Sequence, residues 1–383
     1  MSINKIHPLL NKEKQIQAKK YEKEKRFLGL ASLVVSLIIL LGFYFSGLSA
    51  WLAHLRIGSS IIWTFLLYVT SFQTILVLFG LPLNFYSSYI HEHKWNFSNH
   101  TIKSWLWDHV KSFFVGLILM FILLGLLFWI MALSPQNWWL IAGVVFSLAS
   151  VIFATLFPVV ILPIFNKYTP VQDKELIDAL KRILSKGGLR SSGFFKEDMS
   201  RQTKKENAFL AGLGKTRRVV LGDNLMENMS VQEIESIIAH EVGHYKSKHI
   251  WKNIVLSTLQ GIVVFCILNW ALSSIFPAFL SSTVWNLTLF PVFVIFMGFI
   301  SGFLFGPLSN AFSRFFERQA DQYALEMIQD KKAFMTAIAG LADRNLSNAY
   351  PAGWIKFLYY SHPPIGERLT MAESFITEQW KEN

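Results

Sequence analysis

Six apolar runs without a single Asp, Glu, Lys or Arg dominate this sequence: residues 27–50, 59–88, 113–134, 138–163, 254–276 and 284–308. At about 1.5 Å of rise per residue, each is long enough for a helix to cross a hydrocarbon core of roughly 30 Å. In lipid the backbone must satisfy its own hydrogen bonds, and runs of this length do so as helices. The chain is therefore expected to be predominantly α, a polytopic membrane protein with about six transmembrane helices. Only 16% of its residues are charged, against roughly 25% in an average soluble domain. The 59–88 run exceeds one crossing, and Pro82 offers a place where it kinks and leaves the membrane from Leu81 onward. Run 27–50 is longer than a signal-peptide core and reads as a retained anchor.

The charges between the runs fix an orientation. Lys5, Lys12, Lys14, Lys19, Lys20, Lys23, Lys25 and Arg26 crowd the head, and Lys94, Lys103 and Lys111 follow the second run. Segment 164–253 is strongly basic, whereas 135–137 and 277–283 carry no basic residue and 51–58 carries only Arg56. With six crossings every basic segment falls on one side, which the positive-inside rule assigns to the cytoplasm. Both termini and the active-site region are expected there, in a bacterial inner membrane or an ER-like one. The net charge of +11 is then a set of solvated, membrane-flanking runs. A single aromatic, Tyr21, is no aromatic interleaving of the Lys/Glu-rich head, so nucleic acid is not an expected partner. Cys266 is the only cysteine, which excludes an intramolecular disulfide and a thiolate metal site. The terminal Trp380-Lys381-Glu382-Asn383 forms no prenylation box.

His240-Glu241-Val242-Gly243-His244 fits H-E-x-x-H. Residues four apart share a helix face, so both imidazoles reach one zinc ion, and Glu241 is placed to take a proton from the attacking water. The alternative is a structural histidine pair. The motif sits on a well-capped helix: Ser230 is an N-cap and Glu233 completes a capping box. That helix is expected to run through the motif and on into the fifth span. A catalytic zinc needs a third protein ligand, and Glu317 is the best candidate, because the fifth and sixth spans carry the chain away from His244 and back. Asp321, one turn on, shares its face and is suited to hold a ligand imidazole by its second nitrogen. Alone, such a pair is as often a solvated face. His249 lies off the ligand face and is assigned to support. His91 and His93, flanking Glu92, read as a solvated interfacial cluster, and His100 and His109 belong to a Trp-containing interfacial segment with Trp95, Trp105 and Trp107.

The layout is then a basic head at 1–26 and four N-terminal transmembrane helices within 27–163, with the interfacial segment at 89–112. A region carrying the zinc helix follows at 164–253, two more transmembrane helices at 254–308, and a helical C-terminal region with the third ligand at 309–383. Within 164–253, apolar spacing predicts a helix over 173–186 ending at Gly187-Gly188. β-structure is expected at 207–210 and 218–221, around a Gly-Lys-Thr turn at 214–216.

Several motifs occur in one order: H-E-x-x-H-x-x-x-x-H ending at His249, N-x-x-S-R-x-x-E-x-x-A-D at 310–321, and Ser361-His362-Pro363-Pro364 before Glu367-Arg368-Leu369. With Asn207-Ala208, residues 163–170, and Leu81-Pro82 through Phe97, they closely resemble the type I CAAX prenyl endoproteases of membranes. The resemblance covers nearly all of the chain beyond the first span. It implies a gluzincin-like α+β protease domain with a small β-sheet, and helices enclosing an intramembrane chamber. One zinc ion per chain would be held by His240, His244 and Glu317, with Glu241 activating water. It further implies that Asn207, Ala208 and Phe209 pair with the substrate backbone and that His362 stabilises the oxyanion. Arg314, Asp321, His249 and Asn310 would be supporting residues. The substrate would be a peptide or protein, prenylated in that family; the oligomeric state is left open. Two departures stand: eukaryotic members have seven spans, and they carry a long charged insertion ahead of the zinc helix. Both point to a bacterial or organellar relative. The competing readings are a quality-control membrane protease without prenyl specificity and a transporter or scaffold with structural zinc. Spans free of charge count against an ion-coupled transporter.

Overall fold

The computed structural model describes residues 6–56, 58, 60–212, 217–328 and 330–375. The turn at 214–216 and the end at 380–383 lie outside the described residues.

Among the described residues, five helices are long and apolar enough to cross a membrane: Lys12–Phe45, Ile61–Lys94, Ile102–Leu133, His249–Ile275 and Phe290–Ile328. A sixth crossing results when Trp138–Phe153 and Phe157–Phe165, bent by 43° at a short break, count as one span. Pro82 does not break its helix; the chain continues through a wider π turn at Phe85–Ile90 before ending at Lys94. Trp95 follows that end, while Trp105 and Trp107 sit in the first turns of the next crossing helix, behind a Thr101–Ser104 capping box. The fourth and fifth crossing helices touch closely. A Cβ on Gly143 would lie 2.7 Å from the backbone of Ile262, and one on Gly261 would lie 2.9 Å from Ser147 Oγ, the small-residue contact common between membrane helices.

The head is not a solvated run. Its helix starts at Lys12, capped by Asn11, and Gln15, Ala18 and Tyr21 form a buried stripe among exposed lysines. Gln15 donates to Asp343 Oδ1 (3.0 Å) and accepts from Ala349 N–H (3.0 Å). Glu24 accepts from Lys94 and from Trp95 Nε1. His91 is likewise not solvated: it is 2% exposed, stacks on Tyr21 and bonds Glu24 Oε2 at 3.1 Å. The head's own buried face creates that shelter.

The polar regions share one core. Leu176, Leu180 and Ile183 of helix Lys174–Lys186 pack with Val219, Leu221, Ile234, Ile238 and Val242. Ala324, Phe334, Ile338 and Leu369 from the C-terminal region join them. Four strands, β1 (Tyr168–Pro170), β2 (Phe194–Glu197), β3 (Ala208–Ala211) and β4 (Arg218–Gly222), form a sheet in the order β1-β2-β4-β3. β2 and β4 are parallel and the other pairs antiparallel. β3 is therefore an edge strand.

The zinc-motif helix, Val231–Lys246, does start at the Ser230–Glu233 capping box. It does not run into the fifth span. Lys248 adopts a left-handed conformation (φ 55°), and a new helix begins at His249. The opposite holds at the sixth crossing: Phe290–Ile328 is unbroken from the apolar run to the helix bearing Glu317.

Candidate metal centre

His240 and His244 project from one face of Val231–Lys246, with their Nε2 atoms 3.1 Å apart. Glu317 comes from the facing helix Gly306–Ile328; its Oε2 is 3.2 Å from His240 Nε2 and its Oε1 is 3.3 Å from His244 Nε2. One donor atom from each of the three lies within 4.8 Å of the others. Gly243 allows this approach: a Cβ there would stand 2.8 Å from Ala320 O and 2.9 Å from Ala320 Cα.

The second nitrogen of each ring faces a close neighbour. His240 Nδ1 lies 2.8 Å from Asp321 Oδ1, and Asp321 is fully buried. Arg368 Nε donates to the other oxygen of Asp321 at 2.8 Å. His244 Nδ1 is 2.9 Å from His249 Nδ1, whose Nε2 bonds Gln319 Oε1 at 2.9 Å. The His249 ring also stacks on Phe316. The restart at Lys248 makes this return possible.

These contacts test the site for a metal. With His240 Nδ1 facing the Asp321 carboxylate and His244 donating through Nδ1 to His249, the Nε2 atoms of the two neutral rings present lone pairs to the same point as the Glu317 carboxylate. Two lone pairs facing at 3.1 Å repel unless a cation lies between them. Two nitrogens bound to a tetrahedral zinc at 2.0–2.1 Å stand about 3.3 Å apart, close to the observed spacing. The surroundings are anionic: burial opposes ionisation of His240, but Asp321 and Glu317 outweigh it and raise its pKa to about 9, a field that holds a cation at this point, a proton or the metal that displaces it. The donor set therefore fits zinc.

Glu241 lines a cavity of 530 Å³ together with His240, Asn207, Ala208, His362 and Arg368. His362 Nε2 is 3.4 Å from Glu317 Oε1, and its side chain is 62% exposed toward that space. Arg314 donates to the carbonyls of Lys356 and Tyr360, and Asn310 donates to that of Leu358. One turn apart, they fasten the Glu317 helix to the segment leading into His362. On β3, Gly222 N–H donates to Asn207 O (2.9 Å). The antiparallel register then turns the main-chain groups of Asn207, Phe209 and Ala211 toward β4, and those of Glu206, Ala208 and Leu210 toward the free edge. Of residues 207–209, Ala208 alone offers its backbone outward.

Sequence spacing alone gives no role to Arg368, Gln319 or Gly243. Arg368 lies within the Glu367-Arg368-Leu369 motif, the one signal that pointed to it; Gly243 occupies an unspecified position of H-E-x-x-H.

Residues 4–167 match the family described as CAAX prenyl protease N-terminal, five membrane helices, and residues 170–376 match Peptidase family M48. Among the described residues within 4–167 there are four crossing helices, counting the bent one, plus the short Leu48–His54 between the first and second. CAAX prenyl protease 1 of Saccharomyces cerevisiae is 30% identical over 328 residues, 81% of this chain and 72% of the relative. The uncharacterized metalloprotease YhfN of Bacillus subtilis is 28% identical over 312 residues, 80% of this chain and 72% of the relative. The crystal structure of S. mikatae Ste24p superposes with a TM-score of 0.79 at 25% identity, covering 96% of this chain and 91% of that one. Five or six crossing helices among the described residues, a small mixed sheet, a converged His-His-Glu centre and these matches together make the chain a multi-pass membrane metalloprotease that belongs to Peptidase family M48.

Proposed function

We propose that the chain binds one zinc ion through His240, His244 and Glu317 and is an endopeptidase that cuts peptide or protein substrates near their C-terminus, prenylated proteins among them. The observation that supports this most is the convergence of those three side chains beside a cavity that β3 also borders. Zinc bound there supplies Lewis acidity, polarising a scissile carbonyl and easing deprotonation of water. Glu241, next to His240 on the helix and facing the same cavity, takes the proton of the attacking water and passes it to the leaving amine. His362, when protonated at Nε2, donates a hydrogen bond to the developing oxyanion. Asp321 and His249 hold the two imidazoles by their Nδ1 atoms, and Arg314 and Asn310 hold the segment that presents His362. The outward main chain of Ala208 and Leu210 aligns an extended substrate. Prenyl specificity rests on similarity to relatives named CAAX prenyl protease 1.

The layout supports a division into a head (1–26), four N-terminal crossings (27–163), a zinc-helix region (164–253), two further crossings (254–308) and a C-terminal region (309–383). The positive-inside pattern supports placing both termini and the metal centre on the cytoplasmic side.

Purified protein in detergent, given a farnesylated CaaX peptide and its unlipidated twin, tests the reading. Glu241→Gln is expected to abolish cleavage while keeping the bound zinc measurable by elemental analysis. Cleavage that survives this substitution removes the mechanism. Equal cleavage of both peptides removes prenyl specificity and favours a quality-control protease.

A further inference from the structure

The free edge of β3 is closed at one end by a side chain. Along the chain leading to β3, outward main-chain groups already have partners: Asn99 N–H donates to Gln202 O (3.0 Å) and Lys204 N–H to Phe97 O (2.8 Å). At Glu206 the partner is the Asn345 carboxamide, which accepts from Glu206 N–H through Oδ1 (2.9 Å) and donates to Glu206 O through Nδ2 (3.1 Å). It makes both hydrogen bonds that a neighbouring strand would make. From Ala208 onward, no described residue takes the outward groups of Ala208 or Leu210.

The bridge is firmly built. Asn345 is the first residue past helix Lys331–Arg344 and its N–H bonds Leu341 O (2.9 Å). Leu346 then turns left-handed (φ 48°), and Ser347 N–H closes onto Ala342 O (2.8 Å). The Glu206 side chain is fully buried, with Arg344 Nε at 2.6 Å and Asn228 Nδ2 at 2.9 Å. Both ends of the bridge are thus held from behind.

We propose that Asn345 is a specificity-determining residue: its carboxamide ends the substrate lane along β3 and limits how much chain is accepted beyond the cut. The inference rests on the peptidase reading above and deepens it. A substrate strand antiparallel to β3, the commoner and slightly more stable pairing, enters from Gly212 and brings its C-terminal side toward Asn345. The cavity holding His240, Glu241 and His362 is bordered by Glu206, Asn207 and Ala208, at that same end. The cut therefore falls close to the stop, and little free edge remains for residues after it. A chain that continues must leave the edge and forfeit its main-chain bonds. On the far side of Asn345 a second cavity is lined by Lys25, Arg26 and Lys205, of which Arg26 is paired with Glu22 at 2.7 Å and Lys205 with Glu92 at 2.6 Å.

Binding tests this apart from catalysis. A fluorescent farnesylated peptide ending at the CaaX residues, and the same peptide with residues added one at a time at its C-terminus, are titrated against Glu241→Gln protein. Extension is expected to weaken binding at least about tenfold. Adding Asn345→Gly to that protein is expected to remove most of the penalty; Asn345→Ser, which leaves a helix-end residue that folds more readily, is read in the same way. Length-independent binding to the Glu241→Gln protein, or an undiminished penalty after loss of the carboxamide, overturns the proposal. A wild-type protein that cleaves no peptide removes the peptidase reading and leaves this binding comparison intact.

Discussion

Asp321 touches no substrate in this arrangement, yet the metal centre depends on it. It is fully buried, faces His240 Nδ1 at 2.8 Å and is gripped by Arg368. Asp321→Asn removes the charge that orients His240 and leaves the buried Arg368 guanidinium uncompensated. Partners of this kind change metal affinity by roughly 10–100-fold. Competition with a chelator is therefore expected to show zinc released from Asp321→Asn at correspondingly lower chelator concentration, with Glu241→Gln as the control that keeps wild-type affinity. At this scale the sequence was informative where chemistry is local. His240, Glu241 and His244 follow from helical spacing, and Glu317 and Asp321 follow from spacing plus the two crossings that return the chain. Arg368 was not legible, because its pairing with Asp321 spans 47 positions and depends on how helix Ile365–Ser374 docks.

Between elements, the decisive contact is the approach of Val231–Lys246 to Gly306–Ile328. Gly243 faces the Ala320 backbone so closely that any side chain must push the helices apart. Gly243→Ala is expected to lower peptidase activity at least about tenfold, since displacements near 1 Å cost on the order of 100-fold in positioned chemistry, and to lower zinc retention with it. Normal turnover and zinc content in Gly243→Ala would show that the helices have slack. The head helix makes a second prediction. Gln15→Ala strands the buried N–H of Ala349 and one oxygen of Asp343, and is expected to destabilise the protein by about 1–3 kcal/mol. Thermal unfolding in detergent would read this, with Lys19→Ala, on the exposed face, unchanged. A capping signal made one helix start readable, since Ser230 with Glu233 stands where its sequence position says; the helix that apolar spacing placed at 173–186 starts there too, with Asp173 as its N-cap. The break at Lys248 was not readable, because a left-handed lysine carries no glycine signal. Nor was the buried stripe at Gln15, Ala18 and Tyr21, whose Lys/Glu neighbours mask it. The strands Tyr168–Pro170 and Phe194–Glu197 are too short for a period-2 pattern to declare itself.

Across the whole molecule, His249–Ile275 leaves the metal centre and Phe290–Ile328 returns to it, so both halves of the site lie on one face of the membrane domain. Which face is a question of charge. Basic residues cluster in 1–26, 89–112 and 164–253, while 135–137 and 277–283 have none. Insertion keeps such clusters on the cytoplasmic side, where the membrane potential and the insertion machinery both favour cations. The short connection Phe276–Ser281 should then face outward. Cys266 is the only native thiol, so a Cys266→Ala background permits single reporters. Ser281→Cys is expected to react with a membrane-impermeant maleimide in intact cells. Lys103→Cys is expected to react only after the membrane is opened or inverted. The reverse pattern would put the metal centre outside, where a prenylated cytosolic protein cannot reach it. That result would leave the zinc chemistry standing and exclude the substrate class.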